Sequence, residues 1–189
     1  MFYGQNTSYK QVNSENISVV EINLPLASSI DISNNNSDYI DIEYSTRGEY
    51  KNYSFLYSKT EENRFFIKEK LISSLTNLNN KLSIHKNYST IVKISIPKKI
   101  NLRLNIKNAL TSISGKLNMI TISQQRGTIF LNEWNSPGSI KTISAEIIFK
   151  NSNIKVLSNI DMQAPCANSN SEQIIYIESL KGKINCITY

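Results

Sequence analysis

One short pattern recurs every eighteen residues in the second half of the chain, and it constrains the fold more than any other feature. A small residue precedes an alternation of apolar and polar residues at Ala109, Gly127 and Ala145. A fixed period near twenty residues that contains short strands is typical of a β-solenoid, in which stacked coils bury one another's apolar rows. Small residues suit the corners of such coils, where a larger side chain would collide.

The first half of the chain contains short segments in which apolar and polar residues alternate with a period of two, each followed by turn-forming residues. Isoleucine is abundant and alanine is scarce, which favours strands over helices. An antiparallel sandwich would produce the same local pattern, but the eighteen-residue register favours the solenoid. We therefore expect an all-β chain, a short single-stranded β-helix with an N-terminal β-rich cap.

One stretch departs from this strand pattern. Leu71, Leu75, Leu78 and Leu82 fall at helical spacing, which predicts one short amphipathic helix around residues 69–81 that covers a sheet face or an end of the solenoid. The asparagine and serine content of the stretch lowers its helix propensity, so a long loop is the alternative.

Three segments are expected along the chain. Residues 17–97 form the β-rich N-terminal part, and residues 98–189 form solenoid repeats packed continuously on it. Residues 1–16 form an N-terminal segment whose start, "MFYGQ", resembles the end of a signal peptide without its basic and apolar regions. We interpret it as the remnant of a truncated signal peptide, so the protein is expected to be exported to the periplasm, the outer surface or the medium. The alternative is a frayed terminus from Met1 to Lys10.

The two cysteines lie near the C-terminus, at Cys166 and Cys186, about one coil apart. They lack the spacing of a zinc or redox site. In an oxidising compartment they could form a disulfide across adjacent coils, and two unrelated buried thiols are the alternative.

The repeats resemble the adhesin-like head GIN domain family, a group of bacterial auto-transporter adhesin domains of largely unknown function that are often exported. The segments that carry the resemblance are "ISIPKKINLRLNIKNALTSISGKLN", "QQRGTIFL" and "TISAEIIF". The chain departs from the family pattern at Ala145 and Asn159, where glycine is usual. The resemblance implies a right-handed β-helix with an N-terminal β-rich cap, and it supplies no catalytic residues.

The sequence contains no recognisable catalytic constellation. The single histidine, His85, has no orienting partner nearby in the sequence, and no phosphate-binding loop or metal-binding motif is present. We therefore predict no enzyme activity, no cofactor and no metal. Some β-helix proteins cleave acidic polysaccharides with carboxylate-bound calcium, but the few acidic residues of the repeats are spread over several coils. A polysaccharide lyase is a minor alternative.

A ligand surface, if the repeats carry one, is expected among their cations. The alternative is that these lysines only keep a strand-rich surface soluble and protect its edges. Residues 1–95 contain ten basic and ten acidic residues, whereas residues 96–189 contain eleven and five, so the second half holds the whole net charge of +6. An exposed tryptophan could stack on a sugar ring; the alternative for it is a side chain folded back over the solenoid edge. The candidate surface residues are Trp134, Lys116, Arg126, Lys141 and Lys155.

Tyrosines interleave with basic residues in "YSTRGEYKNYSFLYSK", as they do in some nucleic-acid-binding proteins. Acidic neighbours cancel the charge there, so no nucleic-acid partner is expected. No run approaches the ~18 apolar residues of a membrane helix, so no transmembrane segment is expected either.

These features favour a non-enzymatic, exported or envelope-associated adhesin-like protein that binds a glycan or another cell-surface component. The alternative is a structural module that scaffolds an envelope complex by associating end to end.

Overall fold

The computed structural model of the chain describes residues 5–48, 54–71, 88–162 and 171–187. These residues form fourteen β-strands and no helix, which confirms the expected all-β class. The strands are β1 (Gln5–Asn13), β2 (Val19–Leu24), β3 (Ser29–Asn35), β4 (Tyr39–Gly48), β5 (Ser54–Glu61), β6 (Arg64–Leu71), β7 (Tyr88–Pro97), β8 (Asn101–Ser114), β9 (Met119–Asn132), β10 (Gly138–Thr142), β11 (Glu146–Lys150), β12 (Lys155–Ser158), β13 (Ile174–Ser179) and β14 (Lys183–Ile187).

Parallel pairing with an eighteen-residue offset organises the second half of the chain. Asn101 of β8 is the Cα partner of Met119 on β9, and Ala109 is the partner of Gly127. The two halves of β9 then pair with β10 and β11 at the same offset. Identical offsets place like residues side by side, so inward isoleucines meet inward isoleucines. The register of Ala109 and Gly127 is therefore the one predicted from the sequence.

The strands form two rows that meet at β8 and β9, the two strands long enough to belong to both. The first row runs β5, β6, β2, the first halves of β8 and β9, β10, β13 and β12. The second row runs β1, β4, β7, β3, the second halves of β8 and β9, β11 and β14. Apolar side chains of both rows belong to one buried cluster. The path of paired strands ends at β1 and β12 and does not close on itself.

A sharp bend in β9 divides it between the two rows. Gly127 has a φ of 94°, and a Cβ there would lie 2.2 Å from the backbone oxygen of Ala109. Gln124 is fully buried beside the bend. Its Nε2 donates hydrogen bonds to the backbone oxygens of Ala109 at 2.8 Å and Arg126 at 2.9 Å, and its Oε1 accepts one from Thr111 Oγ1 at 2.6 Å. These bonds satisfy polar groups that the bend withdraws from water.

The order of strands in space differs from their order in the chain at both ends. β2 lies between β6 and β8, and β13 lies between β10 and β12. The N-terminal end is antiparallel, with β4 between β1 and β7 and with β5 beside β6. Because β2 and β3 pair with β8, strands of segments 17–97 and 98–189 belong to one sheet.

Two local expectations need correction. The helix predicted over residues 69–81 does not begin at residue 69, because β6, which buries Phe65 and Ile67, continues as a strand paired with β5 as far as Leu71. Residues 72–81 lie outside the described residues. The alternative of a frayed terminus also fails for residues 5–10, which pair with β4. Residues 1–4 lie outside the described part of the chain.

Candidate ligand-binding surface

Trp134 does not belong to a ligand surface. It lies in the loop after β9 with none of its surface exposed, and its Nε1 donates a hydrogen bond to the backbone oxygen of Ser136 at 2.8 Å. Of the two alternatives for Trp134, the exposed ring is excluded and the side chain folded back over the apolar interior is the one present. Burial of a large aromatic side chain removes much apolar surface from water, which favours this position.

The four predicted cations are exposed, but they do not form one stripe. A stripe across a sheet requires residues that share a register position on neighbouring strands. Lys155 is the partner of Ile174, whereas Lys141 is the partner of Ser123 and Glu178. Arg126 lies at the bend of β9, and Lys116 lies in the loop between β8 and β9. These four cations are therefore scattered and do not form one basic surface.

One of these cations is paired. Lys141 Nζ lies 2.8 Å from Glu178 Oε2 on the adjacent strand β13. The hydrogen bond to this carboxylate raises the pKa of Lys141 above 10.5. Both side chains are more than two-thirds exposed, so the pair contributes little to stability.

Of the two cysteines of the proposed disulfide, Cys186 lies within the described residues. Cys186 lies on β14, where its half-buried side chain packs against the apolar cluster. Cys166 lies outside the described residues, so the Cys166–Cys186 disulfide stays a prediction. Non-reducing peptide mapping should recover the two cysteines in one cross-linked peptide pair, and alkylation of both thiols without reductant would contradict it.

His85 also lies outside the described residues. Among those that are described, no three histidine, cysteine or acidic side chains come close enough together to hold a metal ion. The described residues likewise include no helix long and apolar enough to cross a membrane.

A surface depression of about 620 Å³ lies elsewhere, across the outer face of β1, β4, β7 and β3. We call it the tyrosine groove, because the ring of Tyr9, which is 76% exposed, forms one side. The outward residues that line it with Tyr9 are Gln11, Asp31, Ser33, Asp41, Glu43, Lys93 and Ser95.

Hydrogen bonds fix most of the polar groups in the tyrosine groove. Gln11 Nε2 donates to Asp41 Oδ1 at 2.7 Å, and Lys93 Nζ donates to Glu43 Oε1 at 3.2 Å. Asp31 on β3 is the cross-strand neighbour of Lys93 on β7. Among the described residues, the Asp31 carboxylate has no hydrogen bond or ion pair. The groove thus offers a free acceptor, several hydroxyls and an exposed ring within one shallow surface.

Such a combination suits a sugar. Carboxylates and hydroxyls can bond to sugar hydroxyls, and an exposed tyrosine ring can cover the apolar face of a pyranose. The sequence alone does not reveal this surface, because its residues come from four strands whose neighbours in space are not neighbours in the chain. The only local signal is that each lies at an outward position of an alternating strand.

Comparison with solved structures identifies relatives in fold. A crystal structure of a "putative cell adhesion protein" from Clostridium sporogenes superposes with a TM-score of 0.62 over 98% of this chain and 100% of that chain, at 16% sequence identity. A "putative adhesin" from Bacteroides fragilis matches 96% of this chain and 97% of its own at 8% identity, with a TM-score of 0.33. The second score is too low to define a common fold.

No protein-family model matches the chain, and no curated protein matches it. The likeness to the clostridial protein shows that the two chains share a fold. Because the two sequences are only 16% identical, the likeness does not identify functional residues in this chain.

Proposed function

We propose that the chain is a non-enzymatic, adhesin-like protein that is exported or attached to the cell envelope and binds a glycan of a cell surface through the tyrosine groove. The observation that carries this proposal is the match in fold, over the full length of both chains, to the clostridial "putative cell adhesion protein". The resemblance of the repeats to adhesin-like head GIN domains points the same way.

The scaffold of this proposal is a right-handed β-solenoid over residues 98–189, with a β-rich cap over residues 17–97. The eighteen-residue offsets of β8, β9, β10 and β11 support it, since stacked coils of equal length require constant offsets. Such a scaffold holds outward side chains on a rigid sheet, so little conformational entropy is lost when a ligand binds.

A glycan array and a cell-binding assay with the purified chain test this function. We expect binding to a neutral or amino sugar that falls when Tyr9→Ala removes the exposed ring, and that also falls for Asp31→Asn. The matched control is Tyr176→Ala, which removes a tyrosine that is 57% exposed on β13 in the other row. Failure of the wild type to bind any glycan or cell, or an equal loss in the control, would count against the proposal.

A second candidate function is end-to-end association. β12 pairs only with β13 among the described strands, and exposed edges of this kind are templates for further strands. Exposed apolar side chains lie on or just after the last strands of the chain, with Leu157 40%, Met162 40% and Leu180 76% exposed. Light scattering over a range of concentrations tests it: a mass that grows with concentration, and returns to that of a monomer in Leu157→Lys, supports assembly, whereas a constant monomer mass excludes it.

A further inference from the structure

A basic surface lies on the other row of the sheet, on the hairpin of β5 and β6. The strands β5 and β6 form an antiparallel hairpin in which Phe65 and Ile67 point into the core. The alternate residues of both strands point outward, and we call this surface the hairpin face. Its residues are Phe55, Tyr57, Lys59, Glu61, Arg64, Phe66, Lys68 and Lys70.

The register of the hairpin joins each outward cation to a ring or a carboxylate. The cross-strand partners are Phe55 with Lys70, Tyr57 with Lys68, Lys59 with Phe66, and Glu61 with Arg64. No outward position pairs two lysines or two aromatic rings. Such a ladder spaces four cations over the surface without direct repulsion between opposite neighbours.

Close contacts hold the lysines over the rings. Lys59 Nζ and Lys68 Nζ lie 5.4 Å and 5.6 Å from the centroid of the Phe66 ring. Lys70 Nζ lies 4.1 Å from the centroid of Tyr57. Contacts below ~6 Å are attractive, so each ammonium group is held near the sheet while its other hydrogens point to water.

Arg103 on β8 extends this surface beyond Arg64. Glu21 on β2 accepts hydrogen bonds from Arg64 at 3.4 Å and from Arg103 on β8 at 3.2 Å. Both guanidinium groups remain about half exposed, at 49% and 51%. One carboxylate cannot neutralise two arginines, and Glu61 already pairs with Lys59. The surface therefore keeps an excess of positive charge, although Glu62 lies in the turn at its edge.

We propose that the hairpin face, with Arg64 and Arg103, is a binding site for an acidic polysaccharide, a second site beyond the glycan-binding groove proposed above. The charge is complementary to a chain that bears carboxylates or sulfates at regular intervals. A shallow depression lined by Phe66, Lys68 and Arg103 interrupts the face and can seat one sugar ring. Cations already held in place lose little freedom when they bind.

The same contacts favour a polysaccharide over other anionic polymers. Bases bind single-strand platforms by stacking on open aromatic faces, and here the rings of Phe66 and Tyr57 are covered by ammonium groups. Insertion into a lipid surface requires protruding apolar side chains, and both rings are half-buried below the lysines. Only Phe55, at the end of the face, is 45% exposed.

Biolayer interferometry of the full chain on immobilised polygalacturonate, with neutral dextran as reference, tests the site. We expect binding to polygalacturonate alone, weakened by added salt. The double variant K68Q/K70Q should bind about tenfold more weakly, since it removes two exposed charge-assisted contacts. The charge-conserving K68R/K70R should bind like the wild type.

The matched control is K116Q/K155Q, which removes the same charge from exposed residues outside the hairpin. Lys116 lies in the loop between β8 and β9, and Lys155 lies on β12, at the opposite end of the first row from β5. An equal loss in this control, or equal binding of the wild type to dextran, overturns the proposal. Tighter binding to poly(dT) or to phosphatidylserine vesicles than to polygalacturonate also overturns it. Tyr9→Ala should leave polygalacturonate binding intact, so failure of this site and failure of the tyrosine groove give different results. Circular dichroism verifies that each variant is folded, and the salt dependence of the wild type provides a test that needs no variant.

Discussion

The bend of β9 depends on one buried amide, and Gln124→Met tests how much stability that amide supplies. Methionine has nearly the same length and fills the same space, but it can neither donate to the backbone oxygens of Ala109 and Arg126 nor accept from Thr111. All of the Gln124 side chain is buried, and so is Thr111, so water cannot replace the lost partners without opening the core.

The magnitude follows from the groups left without partners. A buried polar group that loses its hydrogen bond costs about 1–3 kcal/mol. The Thr111 hydroxyl and at least one backbone oxygen are affected, so we expect a loss of about 2–5 kcal/mol in the free energy of unfolding. For a chain of this size each kcal/mol lowers the melting temperature by about 2–4 °C. The variant should therefore melt roughly 4–20 °C below the wild type.

Urea unfolding followed by circular dichroism measures the change directly. The midpoint should fall while the slope stays constant, because the surface exposed on unfolding hardly changes. Thr111→Val/Gln124→Met is the informative companion, since it removes both partners of the 2.6 Å bond. The double variant should lose less than the sum of the single variants. A Gln124→Met protein within ~0.5 kcal/mol of the wild type, the usual range for surface substitutions, would refute the reasoning.

Three further predictions concern single residues. Gly127→Ala should lower the melting temperature in a thermal scan, because its Cβ would lie 2.2 Å from the Ala109 oxygen at a positive φ; an unchanged melting temperature would show that the bend relaxes. Trp134→Phe should cost about 1–3 kcal/mol in urea unfolding, because it removes a buried hydrogen bond and part of the ring, yet it should leave glycan binding intact; a loss of binding in a folded variant would place the indole in the site after all. Glu178→Gln should lower the pKa of Lys141 towards 10.5 in an NMR titration, since the carboxylate raises it. Because the folded state raises the pKa of Lys141, the pair stabilises the fold below pH 10.5, and this effect is lost as the pH rises through the folded-state pKa. An unchanged pKa in the variant would exclude the pairing in solution.

The predictions that were confirmed depend on the pattern of residues within short segments of the sequence. Alternation identified the buried faces of strands such as β8, because a side chain's direction depends only on its parity within a strand. The spacing of Ala109 and Gly127 identified their pairing, because equal offsets bring small residues together at the bend. The helix predicted from residue 69 was wrong at its start. Residues 69–71 pair with β5 as the end of β6, so strand pairing overrides the helical spacing of the leucines there.

The two proposed ligand surfaces could not be predicted from such patterning. In the sequence, the acidic residues near the hairpin cancel its basic ones, so the segment looks neutral. In the structure, Glu69 points inward, where Tyr44 Oη donates to its Oε1 and the backbone nitrogen of Leu26 donates to its Oε2. Lys68 and Lys70 point outward at the same time. Adding up the charges along a segment combines residues from both faces of a strand, whereas a ligand contacts only one face.

The class of fold, the parity of its strands and the eighteen-residue register of β8 and β9 could be predicted without the structure, because they follow from side-chain size and alternation within short segments. Which strands are neighbours could not. The folded chain places β2 beside β6 and β13 beside β10, buries Trp134, separates the four predicted cations and brings Tyr9 and Asp31 into one groove. Strand order depends on contacts between residues far apart in the chain, and many orders satisfy the same local pattern.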